Sequence, residues 1–208
     1  HIDLPNWNKG VGKIFDKKGV LENRMIAISG KDNIPKLYRN FLSEMESTEV
    51  VKFFQNLTSM QNILPDKSWR WSGLRQTLAG GHQLVHADAR QHLESGLTKE
   101  LTLLLYLNED YEEERDAGQL EIWSDDMKEM IHSLPPLFNR LIIFHNTDTS
   151  YHGVPLTKSD RKMITWSMLS NKMSQGYTKA RFVPRPDDSE EVHRLSSERL
   201  SVKDKFTK

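Results

Sequence analysis

His86, Asp88, His152 and Arg161 have the side-chain types and the spacing for chemistry at a metal. His86 and Asp88 stand two apart in a strand-like run, and period-two alternation puts both side chains on one face. An imidazole and a carboxylate so placed can converge on one ion, and His152 would complete a three-ligand set. Two imidazoles and one carboxylate hold an ion on one face and leave the other open, which suits non-haem Fe(II) and O₂ chemistry. Arg161 follows His152 by nine positions, and a guanidinium grips a carboxylate bidentately, so the set suggests an acidic co-substrate. Taken singly, each signal is weak. A chain with eight histidines contains His-x-Asp pairs by chance, and Arg161 beside Asp160 reads equally well as a surface arginine at a strand entry.

Two further residues are candidates for the same pocket. Tyr106, in Leu104-Leu105-Tyr106-Leu107-Asn108, can offer a phenolic hydroxyl to the carboxylate that Arg161 would hold, or it is a core aromatic of a buried strand. Thr165 lies four positions beyond Arg161 and therefore on the same strand face. Lys162 is the alternative cation.

These residues need a scaffold of strands. Runs rich in aliphatic and aromatic residues, separated by Gly, Asp and Asn, occur at Gly73–Leu78, Gln83–Asp88, Leu101–Leu107, Gln119–Trp123, Arg140–His145, Ser150–Val154 and Met163–Leu169. Short strands between turn signals, without long helices among them, predict an antiparallel sandwich or barrel. A short helix is expected over Asp125–Ser133, ended by Pro135-Pro136. Before the strands, residues 1–33 are punctuated by Gly10, Gly12, Gly19 and Gly30, and Met25–Ile28 reads as a short strand. Leu37, Phe41 and Met45 then mark one helical face, and Val50, Val51, Phe54 and Leu57 a second, with Ser47 and Thr48 as caps between them. After Asn171 the chain turns polar: 184–191 reads as a linker, Val192–Lys205 as a charged surface helix, and the last residues fray. The expected organisation is a single catalytic domain. It has helical support over 1–68, an eight-strand jelly-roll core over 69–171 and a polar tail over 172–208.

Composition narrows the classes. Lys+Arg and Asp+Glu both number 29, so bulk charge points to neither nucleic acid nor membrane. Without cysteine there is no disulfide and no thiolate metal site, which fits a reducing, cytoplasmic setting. No apolar run approaches the roughly 20 residues of a bilayer span, and no signal peptide is visible. The chain opens on His1, which fits a processed chain or a fragment.

His86-Ala87-Asp88, residues 101–123 (LTLLLYLNEDYEEERDAGQLEIW), 140–154 (RLIIFHNTDTSYHGV) and 160–169 (DRKMITWSML) together resemble the catalytic core of Fe(II)/2-oxoglutarate-dependent dioxygenases, in the prolyl-4-hydroxylase-like branch. Hypoxia-sensing prolyl hydroxylases look especially similar around the Tyr106-Leu107-Asn108 strand, the Gly118-Gln119-Leu120 turn and the nine-residue step from His152 to Arg161. The resemblance implies a double-stranded β-helix, mainly β with flanking helices. It implies iron on His86, Asp88 and His152, and the C5 carboxylate of 2-oxoglutarate on Arg161 with Tyr106 assisting. It also implies O₂ as the second co-substrate, succinate and CO₂ as co-products, and ascorbate as a reductant. Asp88 points to hydroxylation, since related halogenases lack this carboxylate. The substrate stays open between a peptidyl residue, such as proline, and a small molecule or sugar. Thr77 and Gln83 stand where relatives usually carry aromatics. A cupin-like, non-oxidative metal-binding module is the reading from another class. Trp69, Trp71, Trp123 and Trp166 suit either a pocket or a core, and the acidic stretch Glu109–Asp116 either a solvated loop or a lid.

Overall fold

The computed structural model describes residues 22–174 and 177–204; the first three glycines and the end of the tail lie outside the described residues. In chain order the elements are β1 (Glu22–Ser29), α1 (Lys36–Glu44), α2 (Thr48–Thr58), β2 (Ile63–Pro65), β3 (Gly73–Ala87), β4 (Leu97–Tyr106), α3 (Glu113–Asp116), β5 (Leu120–Trp123), β6 (Met130–Leu134), β7 (Leu141–His145), β8 (His152–Val154), β9 (Arg161–Met173), β10 (Arg181–Phe182) and α4 (Glu190–Asp204).

The strands pair in the order β6-β5-β8-β3-β9-β4-β7, with β1 and β10 added to β3 and β2 to β9. Every pair is antiparallel. The expected strands Gly73–Leu78 and Gln83–Asp88 are one long strand, β3. Its first part, Gly73–Thr77, pairs with β9, and its last part pairs with β8. Between the two, the register against β1 slips and Gly80 adopts φ +78°, a left-handed value that glycine takes without strain. The Ala79-Gly80-Gly81 turn is thus an irregularity within a strand, and it passes β3 from one half of the curled sheet to the other. With β3 counted in both, each half has four strands, the double-stranded β-helix expected from the sequence.

Two apolar clusters flank the first half. On its outer face Ile28, Leu74, Leu103, Ile164, Trp166 and Met168 meet Tyr38 and Leu42 of α1 and Phe54 of α2. Phe41 of α1 packs edge-on against Trp166, with centroids 5.6 Å apart. On the inner face Leu104, Tyr106, Leu120, Ile142, Val154 and Met163 form a second cluster. Covered on both sides, Arg161–Ser170 of β9 has almost no exposed residue. Ser47 caps α2 as expected, its hydroxyl accepting from the Val50 amide.

Several expectations need correction. Residues 125–133 are not helical. The Ser124 hydroxyl accepts from the Lys128 and Glu129 amides, and the Asp126 carboxylate also accepts from Lys128. These local bonds compete with helix formation, and Met130–Leu134 then extends to pair with β5. Leu37 and Leu57 are exposed, because α1 and α2 turn Tyr38, Leu42 and Phe54 inward instead. Trp69 and Trp166 belong to the core. The acidic stretch holds the short α3, and Asp116 is buried, accepting from the Glu112 amide and from Arg115. The polar tail contributes β10, which pairs with β3 at His86 and Ala87.

Candidate metal centre and co-substrate clamp

His86 is the penultimate residue of β3, Asp88 follows just past its end, and His152 opens β8 directly opposite His86 in the ladder. Cross-strand pairing brings the two rings to a centroid distance of 4.4 Å. One ligand atom from each of His86, Asp88 and His152 lies within 4.8 Å of the others. The Nδ1 atoms of His86 and His152 each lie 2.9 Å from a main-chain carbonyl, of Leu84 and of Ser150. A carbonyl only accepts, so both Nδ1 atoms carry the proton and both Nε2 atoms keep the lone pair a metal needs.

The charges are arranged to match. Burial, and then the neighbouring His86, push His152 down to about 4, so it is neutral near pH 7 even though Asp88 pulls the other way. Burial alone would raise Asp88. Lys99, the contact with His86 and the proximity of His152 outweigh it and hold the carboxylate well below its usual range. Asp88 Oδ1 lies 3.5 Å from His86 Nε2. Its Oδ2 accepts from Lys99 Nζ at 2.6 Å and from Thr102 Oγ1 at 3.2 Å. Asn146 Nδ2 in turn donates to Thr102 at 3.0 Å. One carboxylate oxygen is therefore tied back by protein groups, and the other faces the two imidazoles. Phe144 and Phe182 flank the rings, at 4.6 Å from His152 and 5.2 Å from His86.

Arg161, the first residue of β9, is 3% exposed. Its Nη2 donates to the Tyr106 hydroxyl at 2.6 Å, its guanidinium lies 4.8 Å from the centre of that ring, and its buried Nε has no partner. Asp160 is turned away and accepts from Gln76 Nε2 and the Ala79 amide. Among the described residues Arg161 thus makes no ion pair, and a buried guanidinium without an anion calls for one. Burial raises the Tyr106 pKa against the opposing influence of Arg161, so its hydroxyl stays protonated and can donate to the same anion. Thr165 shares the inner face, level with Leu104. Lys162 alternates to the opposite side, its main chain tied to Leu107 and Asn108.

Lys99 and Thr102 were not among the sequence candidates. Thr102 follows alternation from Tyr106, a signal that was available. Lys99 does not, because the register against β9 slips between Lys99 and Leu101 and rolls the lysine inward.

Residues 72–167, which contain all six candidate residues, match the model of the 2OG-Fe(II) oxygenase superfamily. That match and the fold support a 2-oxoglutarate-dependent, iron(II) dioxygenase domain over these residues. Residues 72–167 of this chain belong to the 2OG-Fe(II) oxygenase superfamily. Three solved structures share the fold. A Pseudomonas putida prolyl-4-hydroxylase matches at 14% identity and TM-score 0.55, over 77% of this chain and 79% of its own. A 2OG-Fe(II) oxygenase-family oxidoreductase from Burkholderia pseudomallei matches at 12% identity and TM-score 0.53, over 74% and 68%. A prolyl 4-hydroxylase from Phytophthora capsici matches at 16% identity and TM-score 0.50, over 82% and 57%. No curated protein matches the sequence significantly. No helix among the described residues is long and apolar enough to cross a membrane.

Proposed function

We propose that the chain is a single-domain hydroxylase in which His86, Asp88 and His152 hold Fe(II) and Arg161, Tyr106 and Thr165 line the 2-oxoglutarate site. The observation that carries this reading is the pairing of two complementary groups in one barrel: two imidazoles and a carboxylate converge at one end, and at the other stands a buried guanidinium that makes no ion pair among the described residues. The donor set suits Fe(II), since two imidazoles and one carboxylate leave positions for exchangeable ligands.

When bound, Fe(II) supplies O₂ activation coupled to decarboxylation of 2-oxoglutarate to succinate and CO₂, with ascorbate as a supporting reductant. The chain's own residues provide position and electrostatics. The Leu84 and Ser150 carbonyls fix both imidazole rings and their tautomers. Lys99 and Thr102 hold the second oxygen of Asp88 so that the first presents alone. Arg161 takes the distal carboxylate of the co-substrate in a charge-assisted pair, and the Tyr106 hydroxyl donates to the same group. Leu104, Ile142 and Met163 keep that end of the barrel apolar, which strengthens the pair. Retention of Asp88 favours hydroxylation.

A peptidyl prolyl residue stands slightly ahead as substrate, supported by the shared fold with two structures that bear the prolyl-4-hydroxylase name. The deciding experiment adds Fe(II) and 2-oxoglutarate without air. A weak metal-to-ligand charge-transfer band is expected, followed by succinate on admitting O₂. Neither band nor succinate would leave a non-oxidative metal-binding module as the better reading.

A further inference from the structure

The barrel interior holds a cation that the reading above does not use. Arg75 of β3 is level with Met163 of β9, which is level with Tyr106 of β4. Met163 and Tyr106 belong to the inner cluster, whereas Leu74, next to Arg75, belongs to the outer one. Alternation therefore turns Arg75 inward. Its Nη1 donates to the Leu74 carbonyl at 3.1 Å and lies 3.2 Å from where a Cβ on Gly73 would stand. A Cβ at 73 would meet the Ile28 carbonyl first, at 2.2 Å, and then the guanidinium, which folds back along the strand over the glycine. That direction runs away from the clamp, because Thr77, not Gly73, is level with Arg161.

Asp88 at the metal end is the charged neighbour that Arg75 feels: burial lowers the guanidinium pKa to about 10, and Asp88 opposes this. Asp88 is nonetheless already tied to Lys99, and Arg75 makes no ion pair among the described residues. The charges of Fe(II), Asp88, a doubly charged 2-oxo acid and Arg161 cancel, and Lys99 and Arg75 are then in excess. A cation in excess inside the barrel, where Lys99 is buried and Arg75 half-buried, is costly unless an anion joins it.

We propose that Arg75 recognises the primary substrate by taking its carboxylate at the metal end of the barrel, so that the enzyme selects carboxylate-bearing substrates, such as a free imino acid or a C-terminal residue. This rests on the oxygenase reading above and narrows its substrate to one with a free carboxylate, so that a peptidyl proline would have to be C-terminal. A neutral amide in the same place leaves the half-buried guanidinium without an anion, so discrimination comes from the loss of a charge-assisted bond.

The test uses the anaerobic complex with Fe(II) and 2-oxoglutarate, and reads the shift of its charge-transfer band on adding L-proline or L-prolinamide, and N-acetylglycyl-L-proline or its amide. In the wild type at least one acid shifts the band at about tenfold lower concentration than its amide. In R75Q that preference is gone, while the band and the affinity for 2-oxoglutarate are kept. R75K, which keeps the charge, keeps the direction of the preference, and this arm decides the matter should R75Q fail to fold. Four results overturn the proposal: no acid preference in the wild type, a preference that survives R75Q, its loss in R75K, or weakened 2-oxoglutarate binding in R75Q. A wild type with no band brings down the oxygenase reading and this proposal with it, whereas a band without acid preference brings down this proposal alone.

Discussion

At the scale of single residues, the co-substrate clamp makes the sharpest forecast. Arg161→Ala removes a buried charge-assisted pair, whose contribution of roughly 2–3 kcal/mol corresponds to a weakening of 2-oxoglutarate binding on the order of 30- to 150-fold. Tyr106→Phe removes one hydroxyl from the same carboxylate and should cost about 1 kcal/mol, roughly fivefold. Titration of the anaerobic charge-transfer band reads both, and an unchanged affinity in Arg161→Ala would move the clamp to another cation. Asp88→Ala and His152→Ala should abolish 2-oxoglutarate turnover, and full turnover in either removes the triad assignment. The side chains of the site were legible because strand alternation groups His86 with Asp88, and the family resemblance supplies the order and spacing that add His152, Arg161 and Tyr106. Lys99 was not, since one extra residue in β4 reverses the side on which it stands. Arg75 was hidden differently: an arginine in a strand-like run ordinarily reads as solvent-facing, and only the pairing of β3 with β9 turns it inward.

At the scale of elements, the join between β3 and β8 sets the distance between the two histidines. Gly153 follows His152, and a Cβ there would lie 3.0 Å from the Cα and N of Val85. That obstacle is backbone and cannot swing aside. Gly153→Ala should therefore push β8 off β3, cost about 1–3 kcal/mol and weaken Mn(II) binding, which melting temperature and the EPR signal of free Mn(II) would show. An unaltered melting temperature together with unaltered Mn(II) binding would mean that the join does not set the site. The strands were readable from composition because both faces of β9 and the inner faces of β4 and β7 are covered, and covered strands are apolar. The region after β5 was misread because Ser124 and Asp126 satisfy amides locally, an effect that periodicity does not register. On α1 the spacing of Leu37, Phe41 and Met45 suggested one face, but Tyr38 and Leu42 face the sheet. Tyr38 is core despite its hydroxyl, because its ring carries most of its surface.

At the scale of the whole molecule, acid should loosen the metal-free protein in two stages. His152 titrates near 6.5 when unfolded and at about 4 in the fold. As pH falls from about 6.5 to about 4, the unfolded chain takes up the proton first, and stability drops by on the order of 3 kcal/mol. Above that window the group has no effect, and below it the loss levels off. Asp88, held low in the fold, adds its own loss below about pH 4. Thermal melting between pH 7.5 and 4.5 reads the first stage, and a flat profile would contradict the assigned burial of a neutral imidazole.

A single strand runs through both halves of this molecule. β3 pairs with β1, β8, β9 and β10, and it carries Arg75 and Thr77 on one stretch and His86 on the next. Thr77, level with Arg161 of the co-substrate clamp, and His86 of the metal centre are therefore parts of one strand, joined through the Ala79-Gly80-Gly81 irregularity. We expect that seating either ligand stiffens this shared strand and lowers the entropy the other must still remove, so that 2-oxoglutarate binds more tightly with Mn(II) present and hydrogen exchange in β3 slows with either ligand alone.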